Sequence, residues 1–198
     1  MLNAKLLTDE ILWKSLRKGD EQAFETLFER YYTALVSYGN SFMPQSDRVQ
    51  DCIQDVFVDI WLYRQSLQEW VVVKAYLLSC LRKRMARTYQ RERIFRQTTS
   101  LEDIEFTMDF SVEEQLISDE ITKAQATQLN RLINQLPPRQ KETLYLRFHQ
   151  GLSIEQIAEM LDIHSQSVSN HLHRAVQQLR KEWKGDFMLL FLLILGNM

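Results

Sequence analysis

Residues 153–179 read SIEQIAEMLDIHSQSVSNHLHRAVQQL and contain two helix-start signals on either side of a short turn. Ser153 and Gln156 have the spacing of a capping box, which predicts a helix of about two turns. The tripeptide Asp162-Ile163-His164 predicts the turn, because Asp tolerates a left-handed backbone and the isoleucine can fill the core. Ser165 is the expected N-cap of a second, longer helix. Two capped helices joined by three residues predict a helix-turn-helix.

The second of these helices has one apolar and one polar side. Its apolar side comprises Val168, Leu172, Ala175, Val176 and Leu179, which we expect to face the core. The opposite side and its flanks carry no acid and include Gln166, Ser167, Ser169, Asn170, His171, His173 and Arg174. Amide and guanidinium groups at a helix N-terminus suit the major groove of DNA, whereas an ordinary solvated face mixes Glu with Lys. This pattern therefore favours DNA readout by these seven residues. His171 and His173 point in different directions, so we expect no metal there.

The composition predicts an all-α fold and a protein of the cytoplasm. Only 5 Gly and 3 Pro occur in 198 residues, which disfavours turn-rich β architectures. The first ten residues lack a long apolar run, so we expect no secretory signal. Cys52 and Cys80 lie within apolar helical patterns, which favours reduced core residues over a redox or metal role.

A helix opening near Asp47 is expected to leave an acidic face free. Its apolar stripe comprises Val49, Cys52, Ile53, Val56, Phe57, Ile60 and Trp61. The opposite side carries Asp51, Gln54, Asp55 and Asp59.

Charge is distributed very unevenly behind a net charge of −2. Residues 82–96 hold seven basic and one acidic side chain, and residues 97–122 hold eight acids and no base. The basic run continues a helix that begins near Val73 and includes Arg82, Lys83, Arg84 and Arg87, with Trp70, Tyr76 and Tyr89 nearby. Cations beside aromatic rings are typical of a channel for single-stranded nucleic acid. Pairing of the basic helix end with the acidic segment is the structural alternative.

These patterns predict two helical domains, at residues 8–96 and 123–184, joined by an acidic linker at 97–122. The linker either keeps the basic faces from occupying each other or is an ordinary solvated loop. An apolar tail follows at 185–198, in which residues 187–195 are all apolar. Since a membrane span needs about 20 residues, the tail is expected to dock on a partner, lie in a membrane interface or fold back on its domain.

The order of these motifs resembles the extracytoplasmic-function group of sigma-70-type RNA polymerase sigma factors over nearly the whole chain. The matching segments are KGDEQAF (18–24), DCIQDVFVDIW (51–61), Tyr76-Leu77 with Leu81-Arg82, Leu136-Pro137-Pro138, and the helix-turn-helix. The resemblance implies a promoter-recognition subunit without catalytic residues, cofactor or metal, which binds core RNA polymerase and promoter DNA under the control of an anti-sigma factor. The chain departs from the family at Lys83, where Asn is common, and at Asp162, where Gly is frequent.

The resemblance also implies roles for residues. Asp51, Gln54, Asp55 and Asp59 would bind the polymerase. The −10 element would be contacted by Trp70, Tyr76, Arg82, Lys83, Arg84 and Arg87. The −35 element would be contacted by the seven polar residues of the second helix of the helix-turn-helix.

A stand-alone dimeric regulator is the competing function. It would need a ligand pocket, a phosphorylation site or a dimerisation helix, and the first domain offers none that is convincing. An enzyme is disfavoured, because no Gly-rich phosphate loop, metal cluster or nucleophile-base arrangement is evident.

Overall fold

The computed structural model describes residues 7–42, 46–94 and 120–183, and every regular element within these ranges is helical. This confirms the predicted all-α class. The chain divides into two compact units, Met1–Thr99 and Ser100–Met198. The predicted linker up to residue 119 and the apolar tail lie outside the described residues.

The described residues of the first unit form four α-helices. They are α1 (Asp9–Arg17), α2 (Glu21–Asn40), α3 (Ser46–Leu62) and α4 (Val73–Ile94), with a short 3₁₀ turn at Arg64–Ser66. The second unit contains α5 (Glu120–Asn134), α6 (Pro138–Leu144), which continues as a π-helical turn at Tyr145–His149, α7 (Ile154–Leu161) and α8 (Ser165–Glu182). None of the described helices combines the length and apolarity that a membrane span requires.

The first helices begin where polar side chains can satisfy free backbone N–H groups. Asp20 caps α2, because its carboxylate accepts hydrogen bonds from the backbone of Gln22 (2.9 Å) and Ala23 (3.1 Å). Thr8 occupies the N-cap position of α1 without a side-chain capping bond. Asp9 instead accepts hydrogen bonds from Arg30 and Tyr31, and so ties the start of α1 to α2.

The core of the first unit confirms the predicted apolar stripe of α3. Six of its seven residues are buried, while Trp61 is half-buried. The ring of Phe57 packs edge-on against Phe24 and Phe28 of α2, with centroids 5.8 and 4.9 Å apart. α2 and α3 are in close contact at Gly39, where Val49 lies against the backbone. Both predicted core cysteines are free thiols; Cys52 is buried and Cys80 is partly buried.

In the second unit, the capping box of α7 is confirmed. The Ser153 hydroxyl accepts from the Gln156 N–H at 3.2 Å, and the Gln156 side chain accepts from the Ser153 N–H at 2.9 Å. Asp162 ends α7 in the left-handed conformation at φ +56°, as expected of the turn. Ile163 is half-buried.

Two sequence-based boundaries were wrong. His164, not Ser165, is the N-cap of α8: its extended backbone places its carbonyl to accept from the N–H groups of Ser167 and Val168. Ser165 is therefore already the first helical residue. Helix α5 begins at Glu120, three residues inside the predicted linker 97–122. No Gly or Pro interrupts that stretch, and an acidic residue is favourable in a first helical turn.

Candidate nucleic-acid interface

Helix α8 separates its apolar and polar sides as the sequence predicts. Val168, Ala175 and Leu179 are at most 1% exposed, while the other two residues of the predicted apolar side, Leu172 and Val176, are half-buried. On the opposite side the exposed residues are Gln166, Asn170, His173 and Arg174, and the half-buried ones are Ser167, Ser169 and His171. Burial of the apolar side thus leaves a polar face that carries no acid on the outside of the unit.

Hydrogen bonds along α8 distinguish the members of this polar face. Gln166 Nε2 donates to Asn170 Oδ1 at 3.2 Å, so two exposed amides lie side by side one turn apart. The hydroxyl of Ser169 donates to the carbonyl of Ser165 at 3.2 Å, which directs its proton back to the helix. The amide pair is therefore the better placed to meet a ligand.

His171 lies among positive charges. Burial, followed by the nearby Arg139 and Arg174, lowers the pKa of its imidazole below the usual value. Arg139 belongs to α6, which packs against α8, and it also lies 3.6 Å from Glu142. The sequence reasoning missed Arg139, because only helix packing brings it near the recognition helix.

The basic residues of α4 divide into exposed and paired groups. Lys83 and Arg87 are exposed, whereas Arg82 and Arg84 are half-buried. Arg84 forms ion pairs with Asp59 and, at 3.4 Å, with Asp55. The expectation of a free acidic face on α3 was therefore wrong at these two carboxylates. The packing of α4 beside α3 places the guanidinium opposite both of them.

A pocket of about 220 Å³ lies between α3, α4 and the chain that joins them. Its apolar lining comprises Val56, Ile60, Tyr63, Leu67, Tyr76 and Cys80, and its charged lining comprises Asp59, Lys83, Arg84 and Arg87. Tyr63 and Leu67 were missed by the sequence reasoning, because they follow α3 outside any helical pattern. A cavity lined by apolar side chains, three cations and one carboxylate can hold a flat ring beside charged groups.

The two aromatic residues that we singled out have different surroundings. Trp70 is 64% exposed, and Lys14 Nζ lies 3.7 Å from the centroid of its ring. Tyr76 is half-buried and packs edge-on against Trp13, with centroids 5.2 Å apart. Burial, with the neighbouring Cys80, raises the pKa of the Tyr76 hydroxyl to about 12. The interpretation of Tyr76 as an open stacking surface needs correction, because Trp13 already covers part of the ring.

The outer face of α3 carries apolar as well as acidic groups. Asp51, Gln54, Asp55 and Asp59 are all exposed, as predicted. Val58 and Leu62 lie on the same side and are 54% and 63% exposed. Sequence reasoning missed this apolar pair, although its spacing from Asp55 in a helix would have revealed it. The acidic and apolar side chains together form one exposed surface on α3.

Two protein-family models match the chain, one in each unit. Residues 27–94 match sigma-70 region 2, and residues 126–179 match sigma-70 region 4. Together the matches cover more than half of the chain. The RNA polymerase sigma factor NccH of Alcaligenes xylosoxydans xylosoxydans is 27% identical over 175 residues, which span 86% of this chain and 92% of that protein. The ECF RNA polymerase sigma-E factor of Escherichia coli strain K12 is 26% identical over 186 residues, which span 85% and 91%.

Two solved structures share the fold. CnrH, solved in complex with the cytosolic domain of CnrY, aligns with a TM-score of 0.60 and 20% identity, over 87% of this chain and 95% of that chain. The sigma factor RpoE from Bartonella quintana, solved with the anti-sigma factor NepR, aligns with a TM-score of 0.58 and 18% identity, over 81% and 96%.

Proposed function

This chain belongs to the sigma-70 family of RNA polymerase sigma factors, and we propose that it binds core RNA polymerase and directs initiation at promoters through a −35 and a −10 element. The polar face of α8, left outside by the burial of Val168, Ala175 and Leu179, is the observation that carries this proposal. Its exposed amides and Arg174 can bond to base edges in the major groove. In this proposal the −35 element is contacted by the polar face of α8, which comprises Gln166, Ser167, Ser169, Asn170, His171, His173 and Arg174.

The pocket between α3 and α4 supports recognition of a melted −10 element. Its apolar lining offers a ring contact for an unstacked base, while Lys83, Arg84 and Arg87 of the same lining would attract the adjoining phosphates. Trp70 supplies a further exposed ring for stacking. Arg82 adds positive charge to α4. Tyr76 contributes through the pocket lining, and its ring also packs against Trp13.

The outer face of α3 is the proposed polymerase surface. Asp51, Gln54, Asp55 and Asp59 would meet a basic helical element of the polymerase, and Val58 and Leu62 add apolar contact on the same face. Charge complementarity of this kind mainly fixes orientation and speeds association.

The protein in this proposal is a cytoplasmic regulator rather than an enzyme, and an anti-sigma factor holds it until a signal arrives. Of the two solved relatives, CnrH is bound to CnrY, and the sigma factor RpoE is bound to the anti-sigma factor NepR. The acidic segment that precedes α5 tethers the −10 domain to the −35 domain.

Reconstitution tests the proposal directly. The purified chain is mixed with core RNA polymerase and genomic DNA fragments, and transcript starts are mapped. We expect starts that require the chain and that share an upstream and a downstream element. The double variant N170A/R174A should lose these starts, whereas K181A, an exposed change farther along α8, should retain them. Tight duplex binding by the chain alone, without co-migration with polymerase, would overturn the proposal in favour of a stand-alone regulator.

A further inference from the structure

The side chains of Gln166 and Asn170 form one hydrogen-bonded unit on the exposed face of α8. Both residues are exposed, they lie one helical turn apart, and Gln166 Nε2 donates to Asn170 Oδ1 at 3.2 Å. A four-residue separation in a helix corresponds to a rise of about 6 Å, which suits such amide pairs. The bond restricts the rotamers of both side chains before any ligand arrives.

The bonded pair still offers groups of both kinds to a ligand. The Asn170 amide keeps two N–H donors, and its oxygen retains a second lone pair. With the oxygen and nitrogen positions of both amides exchanged, Asn170 would donate to Gln166 and would still offer one N–H donor beside its oxygen acceptor. The surface therefore presents a donor and an acceptor next to each other in a fixed arrangement.

Only one base has the complementary pattern on its major-groove edge. Adenine presents the N7 acceptor beside the N6 amino donor, whereas guanine presents two acceptors, cytosine a donor, and thymine an acceptor and a methyl group. A paired donor and acceptor thus favours adenine over the other three bases. Two donors, as on an arginine, would favour guanine instead.

The neighbouring polar residues do not compete for this role. Ser169 directs its hydroxyl proton to the carbonyl of Ser165. His171 is half-buried, and Arg174 lies one turn beyond Asn170 on the same face. The two amides near the N-terminal end of α8 are thus exposed and have adenine complementarity.

We propose that Asn170 reads one adenine of the upstream promoter element through N6 and N7, and that Gln166 is a positioning residue that holds the Asn170 amide in place. This inference rests on the proposed function and adds the identity of a base. The Asn170 amide donates to N7 and accepts from N6, while its oxygen continues to accept from Gln166.

The experiment uses holoenzyme assembled from core RNA polymerase and the full-length chain. Wild-type holoenzyme selects duplexes from a fully randomised library, and the bound duplexes are sequenced. We expect one upstream position to be occupied by adenine. Selection with N170A should lose that preference alone, and selection with Q166A should weaken it. K181A is the matched control and should select the same element as the wild type.

A base analogue tests the same contact without altering the protein. The selected adenine is replaced by 7-deazaadenine, which keeps pairing and the N6 amino group but lacks the N7 acceptor. Loss of one such hydrogen bond should weaken wild-type holoenzyme binding roughly five- to tenfold. The N170A holoenzyme should bind both duplexes equally.

The outcomes separate the two proposals. Two results would overturn the adenine inference alone. In the first, N170A holoenzyme selects the shared element and retains the same adenine. In the second, wild-type holoenzyme binds the 7-deazaadenine duplex as tightly as the adenine duplex. A chain that does not assemble with the polymerase overturns the proposed function and this inference with it.

Discussion

Arg84 on α4 donates a hydrogen bond to the carboxylate of Asp59 on α3. Asp55 lies 3.4 Å from the same guanidinium. The arginine was predicted for DNA and the two aspartates for the polymerase, so side chains proposed for two ligands neutralise each other in the free chain. A partner that takes the carboxylates would leave the arginine available for phosphate.

The first prediction concerns this ion pair. Asp59 is 52% exposed, so water and salt screen the pair, and D59N should lower the free energy of unfolding by less than about 1 kcal/mol. The same change removes a negative charge from the pocket and leaves Arg84 paired with Asp55 alone. We therefore expect D59N to bind single-stranded DNA about two- to fivefold more tightly at low salt. Fluorescence anisotropy with a labelled oligonucleotide measures the affinity.

Two variants complete that test. R84A should weaken oligonucleotide binding, and E25Q, an exposed acid on α2, should change it little. Tighter binding by E25Q equal to that of D59N would mean that overall charge, rather than the Arg84 pair, controls the affinity.

The second prediction concerns the contact between α2 and α3 at Gly39. A Cβ atom there would overlap Val49 Cγ1 and lie only 3.3 Å from Cγ2. G39A should therefore lower the free energy of unfolding by about 1–3 kcal/mol, although Ala is the better helix former. Urea denaturation measures the change. In a double-mutant cycle, G39A/V49A should be more stable than the sum of the two single losses implies; strict additivity would show that the overlap relaxes without cost.

The left-handed residue Asp162 gives the third prediction. Its φ of +56° strains any residue with a Cβ, by roughly 1–2 kcal/mol in the less tolerant cases. D162G should leave the second unit as stable or stabilise it by up to about 1 kcal/mol, whereas D162V should destabilise it by about 1–2 kcal/mol. Thermal unfolding followed by circular dichroism distinguishes these results. A D162V protein as stable as D162G would contradict the left-handed turn.

The fourth prediction concerns pH and His171. Burial, then Arg139 and Arg174, lowers its pKa in the folded chain below the unfolded value of about 6.5. The unfolded chain therefore binds more protons below that pH. The stabilising contribution of neutral His171 is complete above about pH 6.5 and is lost as the pH falls through the lower folded pKa. Melting temperatures between about pH 8 and pH 5 should fall less steeply for H171Q than for the wild type; parallel curves would contradict this assignment.

Local signals in the sequence were sufficient for much of the architecture. The capping box at Ser153 and Gln156 and the left-handed Asp162 depend on neighbours within a few residues, so they could be predicted from the chain alone. The start of α8 was misplaced by one residue. The backbone conformation of the turn makes His164, rather than Ser165, the N-cap. The polar face of α8 followed from helical periodicity, which also decides which side is buried.

Periodicity along one helix contains no information on which side chains of two helices meet. Amino-acid order alone was enough to establish an all-α chain, its helix-turn-helix and the exposed amides Gln166 and Asn170. Packing decided that Arg84 pairs with Asp55 and Asp59, that Trp13 covers an edge of Tyr76, and that Arg139 lies near His171. These contacts depend on the register and separation of neighbouring helices, which buried side chains such as Val49 against Gly39 determine in three dimensions.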